Sequence, residues 1–183
     1  MNPVLYYGIA AFIVILWGIT AYNRLVHARI HKDEAWSGIL VQLKRRHDLV
    51  PNLAASASGL AEHEKDLMNS VTQARAAQGS GSVREISQAE GKLSQTLGRF
   101  IAVAENYPQI KADTAFNKLM EELSSLEEDL QMARRYYNGT VRDYNVMTQS
   151  FPSALIAKLT GFSKADFFEL DSAEESKAPE VHF

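Results

Sequence analysis

Between Asn2 and Asn23 the chain carries no charged side chain, and Pro3 to Tyr22 is apolar almost without interruption. A helix needs about 20 such residues to cross a bilayer core of roughly 30 Å, so this run predicts a membrane-spanning helix. Tyr6 and Tyr7 stand near one end and Trp17 and Tyr22 near the other, the placement that amphipathic rings prefer at headgroup level. No basic residue precedes the run and no small-x-small cleavage site follows it, so a retained anchor is expected rather than a cleaved leader.

Beyond the anchor the apolar positions recur in steps of three and four. In the first segment the line is Trp36, Leu40, Leu43, Val50, Ala54, Ala57, Ala61, Met68 and Val71, with only His47 and Glu64 polar on it. Leu53, Leu60 and Leu67 widen that line to the stripe a bundle needs. The predicted helix runs from the membrane to about Ala77, with a kink or a break at Pro51, whose ring crowds the carbonyl of His47. Gln78 to Ser82 reads as a turn. Ser82 stands three residues before Glu85, the spacing of a capping box, and so is the expected N-cap of the second helix. Its seam is Ile86, Leu93, Leu97, Phe100 and Ala104, and Tyr107-Pro108 ends it.

A third helix is expected from Asp113 or Thr114. Its seam is Phe116, Leu119, Leu123, Leu126, Leu130, Ala133, Tyr137, Val141, Tyr144 and Met147, closed by Phe151-Pro152. A short fourth segment, Ser153 to Leu159, ends at Gly161. The tail from Ser163 is acidic and, after Phe168, poor in apolar residues, so it is expected to be disordered. Strand-period alternation is absent. The expected fold is all-α: an N-terminal transmembrane helix, then a long antiparallel bundle of three long helices and a short C-terminal one. The boundaries fall at 1–25 for the anchor, 26–168 for the bundle and 169–183 for the acidic tail.

Composition sharpens this picture in three places. The net charge of −3 does not favour nucleic acid. The absence of cysteine excludes disulfides, thiolate metal sites and thiol nucleophiles. Basic residues are missing before the apolar run, whereas Arg24, Arg29 and Lys32, then Lys44, Arg45 and Arg46, follow it. Lys and Arg are retained on the cytoplasmic side, which predicts a single-pass protein with its N-terminus outside and its bundle cytoplasmic.

Catalytic patterns do not emerge. His63, between Glu62 and Glu64, resembles a phosphoacceptor site, but no glycine-rich nucleotide loop accompanies it. Glu-x-x-His and His-Glu-x-x-His spacings are both missing. Glu121, Glu122, Glu127, Glu128 and Asp129 read as a solvated acidic face. No enzyme activity, metal, cofactor or small-molecule substrate is therefore expected.

Arg24, Arg29 and Lys32 are candidates for contact with anionic headgroups, each basic residue near the surface contributing about 1 kcal/mol. The Tyr-Asn pairs Tyr137-Asn138 and Tyr144-Asn145 read first as hydrogen bonds that lock the bundle, with Arg45, Arg75 or Arg134 as possible partners, and second as a partner surface. Phe162, Phe167 and Phe168 join that second reading, as part of an apolar C-terminal segment that either caps the bundle end or docks a partner, another copy or a membrane.

Many of these residues also carry a family resemblance. Tyr22-Asn23 with Leu25-Val26 and Arg29 precede Ala35-Trp36-Ser37, Gln42-Leu43, Arg45-Arg46, Asp48-Leu49 and Pro51-Asn52-Leu53. Ala61, His63-Glu64 and Ala74-Arg75 follow, then Glu105-Asn106-Tyr107-Pro108, Lys111-Ala112, Phe116 and Leu119. Ala133-Arg134, Tyr137-Asn138, Tyr144-Asn145, Gly161-Phe162 and Phe167 complete the series. In order and spacing this resembles the LemA family of bacterial membrane proteins over about residues 1–168. The resemblance implies a membrane-anchored helical bundle and no defined biochemical activity. The expected role is a scaffold or adaptor for a membrane protein or for copies of itself, with lipid contacts. The alternatives are a membrane-shaping ring or lattice and a signalling relay through His63.

Overall fold

The computed structural model describes residues 3–56, 71 and 81–169. Among these every element is helical and none is a strand: α1 Pro3–Ser56, α2 Val83–Ala104, α3 Pro108–Lys111, α4 Thr114–Gln149 and α5 Ser153–Thr160. His63, the seam from Ala57 to Ala77 apart from Val71, and the residues beyond Glu169 lie outside the described set.

Local chemistry accounts for the helix ends. Pro51 lies inside α1, which continues past it to Ser56 without the break that its ring could have caused. The predicted capping box at the start of α2 is present: the Glu85 amide donates to the Ser82 hydroxyl, and the Ser82 amide donates to the Glu85 carboxylate at 2.7 Å. After Ala104 the chain turns, and Pro108 opens α3 at a position where its missing N–H costs nothing. The sequence pattern ended a helix at this proline; the structure also starts one there. Asp113 caps α4, its carboxylate accepting from the amides of Ala115 and Phe116 at 2.7 and 3.2 Å. Gly161 terminates α5 with φ +78°, a left-handed conformation suited to glycine.

The chain divides into two compact units, Met1–Ile39 with Ala133–Asp166 and Leu40–Met132 with Phe167–Phe183. In the first, Leu25, Ala35, Ile39, Tyr137, Val141, Tyr144 and Ala157 are buried. Trp36 packs on Tyr137 with ring centroids 5.3 Å apart, and Phe162 meets both Tyr22 (5.9 Å) and Tyr144 (6.5 Å). In the second unit the core joins Val50, Leu53 and Val71 to Leu93, Leu97, Phe100, Ala104, Ile110, Phe116 and Leu123.

The predicted seams of the second and third helices are largely the buried ones. On α1 the seam is displaced. Ala35, Ile39, Leu43, Arg46, Val50 and Leu53 are buried, whereas Leu40 is exposed and Trp36 only half-buried. Two neighbouring lines of α1 are both apolar, so periodicity alone did not choose between them. The line that packs inward carries an arginine.

Candidate functional site

Three features of the molecule have chemical content. The first is the apolar run of α1. From Tyr6 to Tyr22 its large side chains stand open: Phe12 is 61% exposed, Val14 64% and Ile19 53%. A core helix of a water-soluble domain would hide these groups. α1 is long and apolar enough to cross a membrane. Past the run, the three predicted headgroup residues are placed differently from one another. Arg24 is exposed. Arg29 lies 3.9 Å from Asp33. Lys32 is turned toward the protein, 2.9 Å from Asp33 and over the ring of Tyr144 at 5.5 Å.

The second feature lies in the same unit, where the ends of α4 and α5 hold the segment that follows Gly161. The Tyr137 hydroxyl donates to the Asp166 carbonyl at 3.0 Å. The Asn145 amide donates to the Ala165 carbonyl at 2.9 Å and accepts from the Ala165 amide at 2.8 Å. Tyr137, Tyr144 and Asn145 are buried and Asn138 half-buried. Burial pushes the Tyr137 phenol up to about 12, with the carboxylates of Asp166 and Asp33 adding to the rise. It also raises that of Tyr144, against Arg29. The Tyr137 phenol therefore stays a neutral donor. Tyr137 and Asn145 thus lock the fold as expected of the Tyr-Asn pairs, although their partner is backbone rather than an Asn or Arg side chain.

The buried members of the proposed partner surface are thus corrected. Tyr137 and Asn145 face the interior of their unit because their polar ends bond its backbone, and Tyr144 because its ring packs against Phe162 and under Lys32. Phe168, in the other unit, is fully buried; Phe162 and Phe167 are half-buried. The expectation of disorder from Ser163 is corrected for the described residues 163–169, since residues 165 and 166 are held by these bonds and the Glu169 carbonyl accepts from the Ser87 hydroxyl.

The third feature was not foreseen. In the second unit Arg46, 4% exposed, lies between two acids, with Nη1 3.5 Å from Glu90 and Nη2 3.2 Å from Glu127. His47 Nε2 is 3.3 Å from the other oxygen of Glu90. Glu90 has no exposed surface. Its contact with Arg46 is close enough for an ion pair, yet neither Arg46 Nη1 nor Glu90 Oε2 makes a hydrogen bond. Burial raises the Glu90 carboxyl to about 7, Arg46 opposing and Glu127 adding to the rise. A cleft of about 340 Å³ borders the cluster, with Arg46, Ser94 and Glu127 on its polar side and Leu97, Ile101 and Met120 among its apolar walls.

A signal for this cluster existed. Ile86, Glu90, Leu93, Leu97, Phe100 and Ala104 step by four and three, so Glu90 fills the gap in the predicted seam of α2. Arg46 fills the matching place between Leu43 and Val50 on α1. Charged side chains at core positions of two helices predict each other. Glu127, assigned to a solvated face, is two-thirds buried against Arg46. Among the described residues no group of three or more His, Cys, Asp or Glu side chains is placed to hold a metal ion.

Fold and features together define an all-helical, membrane-associated protein. The chain belongs to the LemA family, whose defining pattern matches residues 35–183. It is also similar to magnetosome proteins MamQ 1 and MamQ 2 of Paramagnetospirillum magneticum (strain ATCC 700264 / AMB-1), each 30% identical over 89 residues, 49% of this chain. MamQ of Magnetospirillum gryphiswaldense (strain DSM 6361 / JCM 21280 / NBRC 15271 / MSR-1) is 27% identical over 88 residues, 48% of this chain. The matched region spans only 33% of the two former proteins and 32% of the latter.

Proposed function

We propose that this protein is a non-catalytic scaffold, anchored by a single pass of α1 with its N-terminus outside the cell, that presents helix surfaces to a membrane protein or to copies of itself. The observation that carries the reading is the run of open apolar side chains from Tyr6 to Tyr22 on the same helix that supplies core residues to a packed unit. The helices are read as an antiparallel bundle. Ascending α1, Tyr22, Lys32 and Trp36 meet Phe162, Tyr144 and Tyr137 in descending order. Tyr137 and Asn145 spend their polar ends on backbone of the same unit, a use suited to a structural role. Arg24, exposed beside the end of the apolar run, is the best placed of the three basic residues for an anionic headgroup.

Cross-linking in native membranes tests the scaffold. A discrete adduct with a membrane protein or with a second copy is expected, and a chain that cross-links to neither is no scaffold. Protease added to intact cells tests orientation: the helical region should be protected until the membrane is opened.

A second reading, in which copies line up into a ring or lattice that shapes the membrane, draws support from Met132, Tyr136 and Val146. These large apolar side chains are left more than half exposed along α4. A regular assembly in nanodiscs would favour that reading, and a stoichiometric heterocomplex the adaptor.

A further inference from the structure

α5 and the turn before it leave three large apolar side chains in the open. Phe151, just before it, is 83% exposed, Leu155 55% and Leu159 83%. Leu155 and Leu159, four residues apart, form a stripe on one face of α5, and Phe151 stands open in the turn before it. The opposite face is occupied. Ala157 is buried and Ile156 half-buried, its terminal carbon 3.9 Å from where a β-carbon on Gly18 would stand. α5 thus lies within van der Waals reach of α1 at Gly18, with room for a β-carbon there. Phe162, just past α5, packs edge-on against Tyr22. All of these residues belong to one compact unit.

Gly18 and Tyr22 lie in the last turns of the apolar run, beside Trp17 and Ile19, which are themselves open. α5 is therefore docked at the depth where the anchor leaves the hydrocarbon. α5 thus borders the open surface of α1, and a bilayer covering that surface comes within reach of the stripe. Lys158 and Lys164, both exposed, flank it with cations whose stems can reach along a lipid surface toward headgroups.

We propose that α5 is a second, monotopic membrane contact: it lies in the boundary between headgroups and acyl chains of the leaflet that holds the Gly18–Tyr22 end of α1, with Phe151, Leu155 and Leu159 immersed in lipid. This rests on the reading of Pro3–Tyr22 as a membrane span. The occupant of the stripe is the bilayer rather than a second copy, because the stripe adjoins a surface that a bilayer already covers.

The chain has no cysteine, so single cysteines can be introduced cleanly into the full-length protein. Spin labels at Leu155→Cys and Leu159→Cys, in vesicles of phosphatidylcholine and phosphatidylglycerol, report collisions with oxygen, which concentrates in lipid, and with an aqueous nickel complex. Ile13→Cys, within the apolar run, is the lipid reference. Tyr136→Cys is the water reference; its neighbour Tyr137 packs on Trp36, about 20 Å along α1 from Tyr22 at 1.5 Å per residue. Exposed positions tolerate the label, and unchanged far-ultraviolet circular dichroism verifies it.

Oxygen collisions exceed nickel collisions at 155 and 159, as at 13, and the order reverses at 136. If 155 and 159 behave like 136 while 13 remains lipid-like, the α5 contact is overturned and the anchor stands. Protection from both reagents together with spin–spin broadening assigns the stripe to a second copy and also overturns it. A water-like signal at 13 removes the membrane span and this inference with it.

Discussion

Arg46 and Glu90 face each other across a buried gap of 3.5 Å between Nη1 and Oε2, at matching core positions of α1 and α2. The pair is desolvated but not aligned for a hydrogen bond, so attraction only partly offsets the loss of water. That imbalance is why the Glu90 carboxyl stands near 7 rather than at its ordinary 4.5.

The displacement makes folding pH-dependent, with a definite sign. Below about pH 4.5 the folded and unfolded chains both hold the Glu90 proton; between there and about 7 only the folded protein keeps it. Stability is therefore lost as pH rises through that window and changes no further above it. At 1.36 kcal/mol per pKa unit the loss is at most about 3 kcal/mol. Urea unfolding of the detergent-solubilised protein, followed by circular dichroism from pH 5 to 8, should show this fall. Glu90→Gln should flatten it.

Arg46→Met leaves Glu90 buried beside Glu127 without its cation. Removing one partner of a buried pair costs about 3–5 kcal/mol. The loss should appear in full at pH 8 and shrink at pH 5, where Glu90 is protonated. Arg46→Met with Glu90→Leu replaces both charges with apolar groups and should recover most of it. A double variant no better than Arg46→Met, measured by the same urea midpoints, would rule out this account of the pair.

Tyr137→Phe deletes one hydrogen bond to the Asp166 carbonyl and should cost about 1 kcal/mol. Asn145→Leu strands both the amide and the carbonyl of Ala165, at about 1–3 kcal/mol for each buried group left unpaired. Hydrogen exchange at the Ala165 amide is the direct measurement: slow in the parent and in Tyr137→Phe, fast in Asn145→Leu.

Ser82→Ala removes the side-chain half of the capping box and should cost about 1 kcal/mol. The effect should be local, with faster exchange at the Glu85 amide and little change at Leu97. Ser82→Asp, which keeps an acceptor at the cap, should retain most of the protection.

Much of this protein was legible because its signals are local. The apolar run shows in composition alone, and the Ser82 cap, the Asp113 start of α4 and the Gly161 stop each depend on a few neighbouring residues and on the hydrogen-bond needs of a helix end. The seams of α2 and α4 were equally plain, since each helix has one apolar face. Pro51 was ambiguous because a proline inside a helix can bend or break it, depending on what surrounds the freed carbonyl.

What required the tertiary structure was everything set by a partner distant in sequence. α1 has two adjacent apolar lines, and the packed one is the line that brings Arg46 to Glu90 and Glu127. The Tyr-Asn pairs announced a need for hydrogen bonds, but only folding shows that the backbone of residues 165 and 166 meets it. Periodicity marks α5 as amphipathic; the approach of Ile156 to Gly18 places it beside the anchor. A helix declares its own faces through local spacing, whereas the partner of each face depends on which distant segments pack together.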